Sequence, residues 1–176
     1  MTRSWAWDRE PVTEERDGDD SVTWRCHPGS DYWRLTEGLP PRHDGSALLT
    51  RVEGDFELTL HVSGTFANLY DQVGLLLVAS EPRWLKAGIE IDGEPWLSAV
   101  HTRDESDWSK ERWHETAAGL RATRHDGTVM VSIAEGEAWR VFRVLHLPGP
   151  LGVGPYSCSP KGDGFVAVAA GLAISE

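Results

Sequence analysis

The chain has 176 residues, 40% hydrophobic and 26% charged, with a formal net charge of −11. These fractions exclude disorder, collagen and coiled coil, and the length is most simply one domain over residues 1–176, large enough to hide roughly 70% of its unfolded surface without staples. The acidic balance, with no offsetting Lys/Arg cluster, excludes nucleic acid and anionic membranes as natural partners.

The opening "MTRSWAWDREP" lacks the apolar run of a secretory leader, and no segment reaches the ~18 apolar residues that span a bilayer. A cytoplasmic protein is expected. Only Cys26 and Cys158 are present; both are read as packed thiols, with a bridge between the two ends of the chain left open. The nine tryptophans serve cores as readily as sugar-stacking platforms.

In chain order, apolar residues recur at every second position in short runs bounded by Gly, Pro, Asn and Asp, which is a strand pattern. "SVTWRCHP" alternates Val22, Trp24 and Cys26 against Thr23 and Arg25. "SALLTRVEGDFELTLHVSGTF" holds two strands joined at Glu53-Gly54-Asp55, with Phe56, Leu58, Leu60 and Val62 facing one way. "DQVGLLLVASEPRWLKAGIEIDG" supplies two more, broken at Glu81-Pro82. "WLSAVHT" is another. "DWSKERWHETAA" (107–118) is the one place where a helical turn is expected. From Leu120 three strands follow, turning at Asp126-Gly127 and Glu135-Gly136-Glu137, and "GFVAVAAGLAIS" closes the chain. About ten to twelve strands at a spacing of 8–12 residues predict an all-β, two-sheet antiparallel sandwich of the jelly-roll kind.

Within "WLKAGIEI", alternation puts Leu85, Ala87, Ile89 and Ile91 toward the core and Trp84, Lys86, Gly88 and Glu90 on the other face. An indole, an ammonium, a bare glycine and a carboxylate in a row are unlike an ordinary solvent face. Gly88 leaves room for a ligand or a neighbouring ring to approach the backbone. A hairpin with the preceding strand would set Gln72 beside the Lys86 and Glu90 row.

The stretches "DYWRLT" (31–36), "YDQVGLLL" (70–77), "WLKAGIE" (84–90), "SAVHT" (98–102), "SDWS" (106–109) and "VGPYSCSPKGDGF" (153–165) resemble the DUF1349 family, in the same order over nearly the whole chain. The resemblance implies a concanavalin A-like sandwich whose concave sheet forms a groove that relatives in the wider superfamily use for glycans. "SIAEGEAW" also resembles a Ser-x-x-Asp-Gly-x-x-Trp hairpin, a turn and packing device, with Glu135 in place of Asp.

On this reading Trp33, Asp71, Gln72, Trp84, Lys86, Glu90, His101 and Trp108 are the candidate ligand-binding residues. Asp71 and Gln72 offer an acceptor and a donor for hydroxyls, and Trp33, Trp84 and Trp108 offer stacking faces. His101 follows the groove strand and reads more simply as a satisfied sheet residue than as a base. No catalytic residue is assigned; Lys86 and Glu90 are the best candidates. Lys86 and Glu90, four residues apart in a strand, span roughly 13 Å, too far to bond directly yet able to bracket a ligand. "SDWS" lacks the surroundings of a nucleophile elbow and reads as a turn cap. The seven histidines show no ligand spacing, and "DGDD" (17–20) reads as a solvated loop, so neither metal nor cofactor is expected.

The function expected is a carbohydrate- or small-ligand-binding domain, its partner a sugar or a glycosylated small molecule. A sugar-active enzyme is the alternative, weakened because Glu90 is the one evident groove carboxylate where a glycosidase needs two. A lyase is weaker still: "WLKAGIE" resembles the Tyr-Phe-Lys-Ala-Gly-x-Tyr strand of alginate lyases, but Glu90 stands at the catalytic tyrosine. A protein-binding metabolic regulator rests only on the name of the family's yeast member, a regulation-of-enolase protein; a homodimer on sheet edges would favour it.

Overall fold

The computed structural model describes residues 4–176. Its strands, in chain order, are β1 (Ala6–Trp7), β2 (Thr13–Arg16), β3 (Val22–Arg25), β4 (Tyr32–Trp33), β5 (Arg42–His43), β6 (Ser46–Val52), β7 (Phe56–Gly64) and β8 (Gln72–Ser80). They continue as β9 (Arg83–Asp92), β10 (Glu94–Arg103), β11 (Glu105–Arg112), β12 (Ala117–His125), β13 (Thr128–Glu135), β14 (Ala138–His146), β15 (Leu151–Cys158) and β16 (Val166–Ser175). Among the described residues a single 3-10 turn, Thr36–Gly38, lies between β4 and β5.

Two seven-stranded antiparallel sheets form a sandwich, as the alternation predicts: a front sheet in the order β1-β6-β15-β8-β9-β10-β11, and a back sheet in the order β14-β13-β12-β7-β16-β3-β2. Period-2 side chains fill the space between them. Phe56, Leu58, Leu60 and Val62 of β7 and Leu85, Ala87 and Ile89 of β9 are all buried in this main core. The β12–β13 turn places Asp126 (φ 46°) and Gly127 (φ 76°) both in the left-handed region, which the twist of a two-residue hairpin requires.

Residues 107–118 differ from expectation. They hold no helical turn; the first half of the segment, 107–112, belongs to the edge strand β11, and the left-handed Asp104 (φ 68°) turns the chain into it. Asp107, Lys110, Glu111, Arg112 and Glu115 crowd this segment with charge. Charge on an edge strand blunts pairing with other chains, which explains that composition.

The remaining pair, β4 and β5, forms a short hairpin separate from both sheets. It lies over the outward face of the front sheet, where Tyr32 joins Ala47, Leu76, Trp84, Val100, Tyr156 and Cys158 in a second buried apolar cluster. Tyr32 meets the rings of Trp84 and Tyr156 edge-on, at centroid separations of 6.0 and 6.1 Å. For this reason β8 and β9 are buried on both faces. Cys26 and Cys158 are free, buried thiols, as read from the sequence; burial pushes the Cys158 thiol well above its ordinary range, and Cys26 is raised for the same reason.

Candidate functional site

The register of the front sheet assembles the site. Across strands, Leu76, Lys86, Val100 and Trp108 stand in one row on the outward face, and Gln72, Glu90 and Trp96 in another. Between these rows Gly74, Gly88 and Ser98 are paired. A Cβ on Gly88 would lie 2.2 Å from the Val73 carbonyl oxygen, and one on Gly74 would lie 2.0 Å from that of Ala87. The paired glycines therefore allow close approach of two strand backbones, where the sequence had suggested approach by a ligand or ring.

Above the rows lies a cavity of about 220 Å³. The buried Lys86, Glu90 and Gln72 form its base; Trp33 and Trp108 also line it, with Leu39 and Pro40 of the β4–β5 connector and with Pro160 and Lys161. Lys86 is 3% and Glu90 7% exposed, so both charges are nearly removed from bulk water while facing this space.

The Lys86 ammonium donates to Asp31 Oδ1 at 3.1 Å, its one hydrogen-bond acceptor among the described residues, and lies 6.0 Å from the centroid of the Trp84 ring. Burial pulls its pKa down, but the Asp31 carboxylate, with Cys158 and Glu90 behind it, outweighs burial and raises it, so the lysine is held as a cation. Asp31 in turn accepts from its neighbour's amide, Tyr32 N, at 2.8 Å, and its own amide donates to Asp44 Oδ1 at 2.9 Å. Arg42 braces Asp44 from the next strand.

Glu90 Oε2 accepts from the Trp108 indole at 3.1 Å, a donor shared with Ser98 Oγ at 3.0 Å. Ser98 also acts on the Glu90 carboxyl as a hydrogen-bonding neighbour. Burial raises the Glu90 carboxyl above its ordinary value, although Lys86 pulls the other way. Gln72 is fixed by two contacts: its amide donates to Tyr70 O and its carbonyl accepts from the Tyr156 hydroxyl, each at 3.2 Å.

Five of the eight candidate residues therefore line one cavity: Trp33, Gln72, Lys86, Glu90 and Trp108. Three do not. Trp84 shares their face but is fully buried beneath Tyr32, so no stacking surface remains. Asp71 is also fully buried; its carboxylate accepts from Ala67 N and Asn68 N at 2.9 Å and from Ser159 Oγ at 2.5 Å, which leaves it pinning two loops together. His101 has the opposite parity: it pairs with Leu85, points toward the back sheet, and keeps its imidazole pKa low through burial and the nearby Arg103 and Arg143.

Sequence reasoning missed Asp31, Tyr70 and the connector. Asp31 lies inside "DYWRLT", but its pairing with Lys86 spans 55 positions and leaves no local trace. Tyr70 occupies a left-handed backbone position (φ 64°) that places its ring edge-on to Trp108, with centroids 6.5 Å apart. A non-glycine residue there is uncommon and clusters at functional sites. Away from the cavity, among the described residues, Asp55, His125 and Asp126 bring ligand atoms within 4.8 Å of one another. They are exposed, and their contacts latch the β12–β13 turn.

The geometry has counterparts. The chain is 33% identical over 150 residues, 82% of its own length and 76% of the relative's, to "Regulation of enolase protein 1" of Saccharomyces cerevisiae (strain ATCC 204508 / S288c). A crystal structure described as a functionally unknown protein from Saccharomyces cerevisiae superimposes with a TM-score of 0.92 at 28% identity, covering 97% of this chain and 95% of that one. The carbohydrate binding module CBM66 from Bacillus subtilis superimposes with a TM-score of 0.62 at 10% identity, over 99% and 97% of the two chains, a likeness of fold. Residues 7–176 match the family described as "Protein of unknown function (DUF1349)", and the chain belongs to that family.

Proposed function

We propose that the chain acts as one domain that binds a small polyhydroxylated ligand, a sugar or a glycosylated small molecule, in the cavity of the front sheet. The observation that carries the reading is the floor: a buried ammonium with one protein acceptor beside a buried carboxyl, both lining a cavity whose wall includes two indoles. Buried polar groups with unspent hydrogen-bonding capacity are unfavourable unless water or a ligand completes them. Hydroxyls on different sides of one ring, one accepting from Lys86 and another meeting Glu90, complete them while the apolar ring face lies on Trp33 or Trp108. The sandwich shared with a carbohydrate binding module supports the reading at the level of fold. The unpaired buried thiols fit a reducing, cytoplasmic setting.

Titration calorimetry with a sugar panel tests this on wild type, Lys86→Met and Glu90→Gln. Wild-type binding lost in both variants, with cooperative unfolding kept, is expected; equal affinity in all three would refute the site. One observation favours a second reading, a sugar-active enzyme: Asp31 and Glu90 bring two carboxyl groups to one cavity, and Glu90 is pushed toward the acid form. Substrate turnover that vanishes in Glu90→Gln while affinity persists would decide for it. The regulatory role carried by the yeast relative's name is compatible with the same binding event.

A further inference from the structure

The sheet face offers length enough for an extended polysaccharide, yet most of it is closed. Along β9 the row runs from Glu90 and Lys86, which face the cavity, to Trp84, which is fully buried under Tyr32. Any chain following the strand past Lys86 meets the β4–β5 hairpin and its apolar cluster.

The connector closes the side toward β11. Ser106, at the tip of the β10–β11 hairpin, takes Arg34 N on its hydroxyl at 2.9 Å, gives its own amide to Arg34 O at 3.0 Å, and accepts from Thr36 Oγ1 on its carbonyl at 2.5 Å. Trp33 Nε1 donates to Thr36 O at 3.0 Å, fixing the indole that lines the wall. This strap holds its shape with Leu35 (φ 60°), Glu37 (φ 62°) and Gly38 (φ 69°) all in the left-handed region. Two non-glycine residues held there in three positions mark a backbone over-determined by its surroundings. On the remaining side, Ser159 is anchored by Asp71 and by Ser30, whose hydroxyl accepts the Ser159 amide at 3.2 Å, and this sets Pro160 and Lys161 at the cavity.

The result is a pit, with buried Lys86, Glu90 and Gln72 at its base and exposed Leu39, Lys161 and Trp108 at its rim. Its 220 Å³ falls below the ~300–1,000 Å³ typical of sites for drug-sized ligands. A groove that reads the interior of a polymer must be open at both ends. This one is open at one.

From this shape we infer that the site takes a single sugar ring, either free or at the end of a chain, and excludes internal residues of a polymer. The inference rests on the sugar-binding reading above and adds its ligand class. Only the ring that enters reaches Lys86 and Glu90; rings behind it lie outside the rim.

The experiment is titration calorimetry of the full chain with glucose, galactose, mannose, xylose, arabinose and fructose, with linear oligomers of each up to four rings, and with β-cyclodextrin, a ring of glucose units that has no end. The expected result is a monosaccharide whose affinity equals that of its oligomers within about threefold, and no binding of the cyclic glucan. Affinity rising about tenfold or more per added ring, roughly 1.4 kcal/mol each, or a bound cyclodextrin, would overturn the inference while leaving sugar binding intact. Silence across the whole panel would overturn both.

Discussion

Replacing Asp31 by Asn separates charge from shape beneath the cavity. The substitution keeps the side-chain oxygen that accepts from Tyr32 N but removes the carboxylate paired with Lys86 at 3.1 Å. The two side chains are 4% (Lys86) and 18% (Asp31) exposed, so neither partner is well solvated. Removing one member of a buried pair leaves an uncompensated charge and typically destabilises by ~3–5 kcal/mol. The partial exposure of Asp31 puts this case at the lower end, about 3 kcal/mol, which for a chain of this size lowers Tm by ~6–12 °C. Urea unfolding followed by circular dichroism measures it, with an unchanged m-value showing that the unfolded state is not responsible. The double substitution Asp31→Asn/Lys86→Met removes the stranded ammonium as well and is expected to recover all but about 1 kcal/mol of the loss, because well-packed apolar isosteres of buried pairs are near neutral. If Asp31→Asn alone costs less than about 1 kcal/mol, the lysine is solvated within the cavity and the electrostatic account of the site fails.

Three further outcomes follow from the same geometry. Burial raises the Glu90 carboxyl above its ordinary 4.5, so the folded chain holds this proton more tightly than the unfolded chain; the associated stability is full below pH 4.5 and is lost as pH rises through the folded value. Glu90→Gln should therefore gain stability relative to wild type as pH rises above 4.5, and parallel stability–pH curves for the two proteins would contradict this. Gly88→Ala places a methyl 2.2 Å from the Val73 carbonyl oxygen and should destabilise by about 3 kcal/mol or more, at the upper end of overpacking costs; a neutral result in urea unfolding would return Gly88 to a ligand-contact role. Trp108→Ala removes an indole that is 38% exposed at the rim and should weaken sugar affinity by about tenfold with little loss of stability, whereas Trp84→Phe should lower Tm and leave affinity within about twofold; the reverse pattern in calorimetry would exchange their roles.

Much of the sandwich was legible because its core obeys a period of two. Phe56, Leu58, Leu60 and Val62, and Leu85, Ala87 and Ile89, occupy the faces that alternation assigns them. The pairing of Gln72 with Glu90 followed from a two-strand hairpin. What alternation does not carry is the third layer. A two-residue strand such as β4 or β5 has no period, so nothing marked Tyr32 as the lid over Trp84. An indole in a polar row was read as accessible; a long-range contact with Tyr32 buries it. His101 lies in a strand that contributes Ser98 to the site, but odd-numbered β10 residues face inward, which fits its reading as a sheet residue and is the parity that separates it from the cavity.

The β4–β5 hairpin links the energetics of the site to its specificity. Without it, the outward face of β9 would meet water, and a lysine and a glutamate there would require no explanation. Tyr32 removes that water over Trp84 and Leu76, which makes the neighbouring Lys86 ammonium expensive to leave alone. The counter-charge, Asp31, is the residue immediately before Tyr32, so the segment that desolvates the lysine also neutralises it. Two positions along, Trp33 supplies the cavity wall. Desolvation, charge compensation and stacking surface thus come from three consecutive residues, and none of them can be moved without disturbing the other two. A ligand entering this cavity meets donors and acceptors already oriented and largely dehydrated, so binding loses little free energy to rearrangement. On the function proposed above, the same rigidity would confine recognition to a ligand small enough to pass the strap and reach the base.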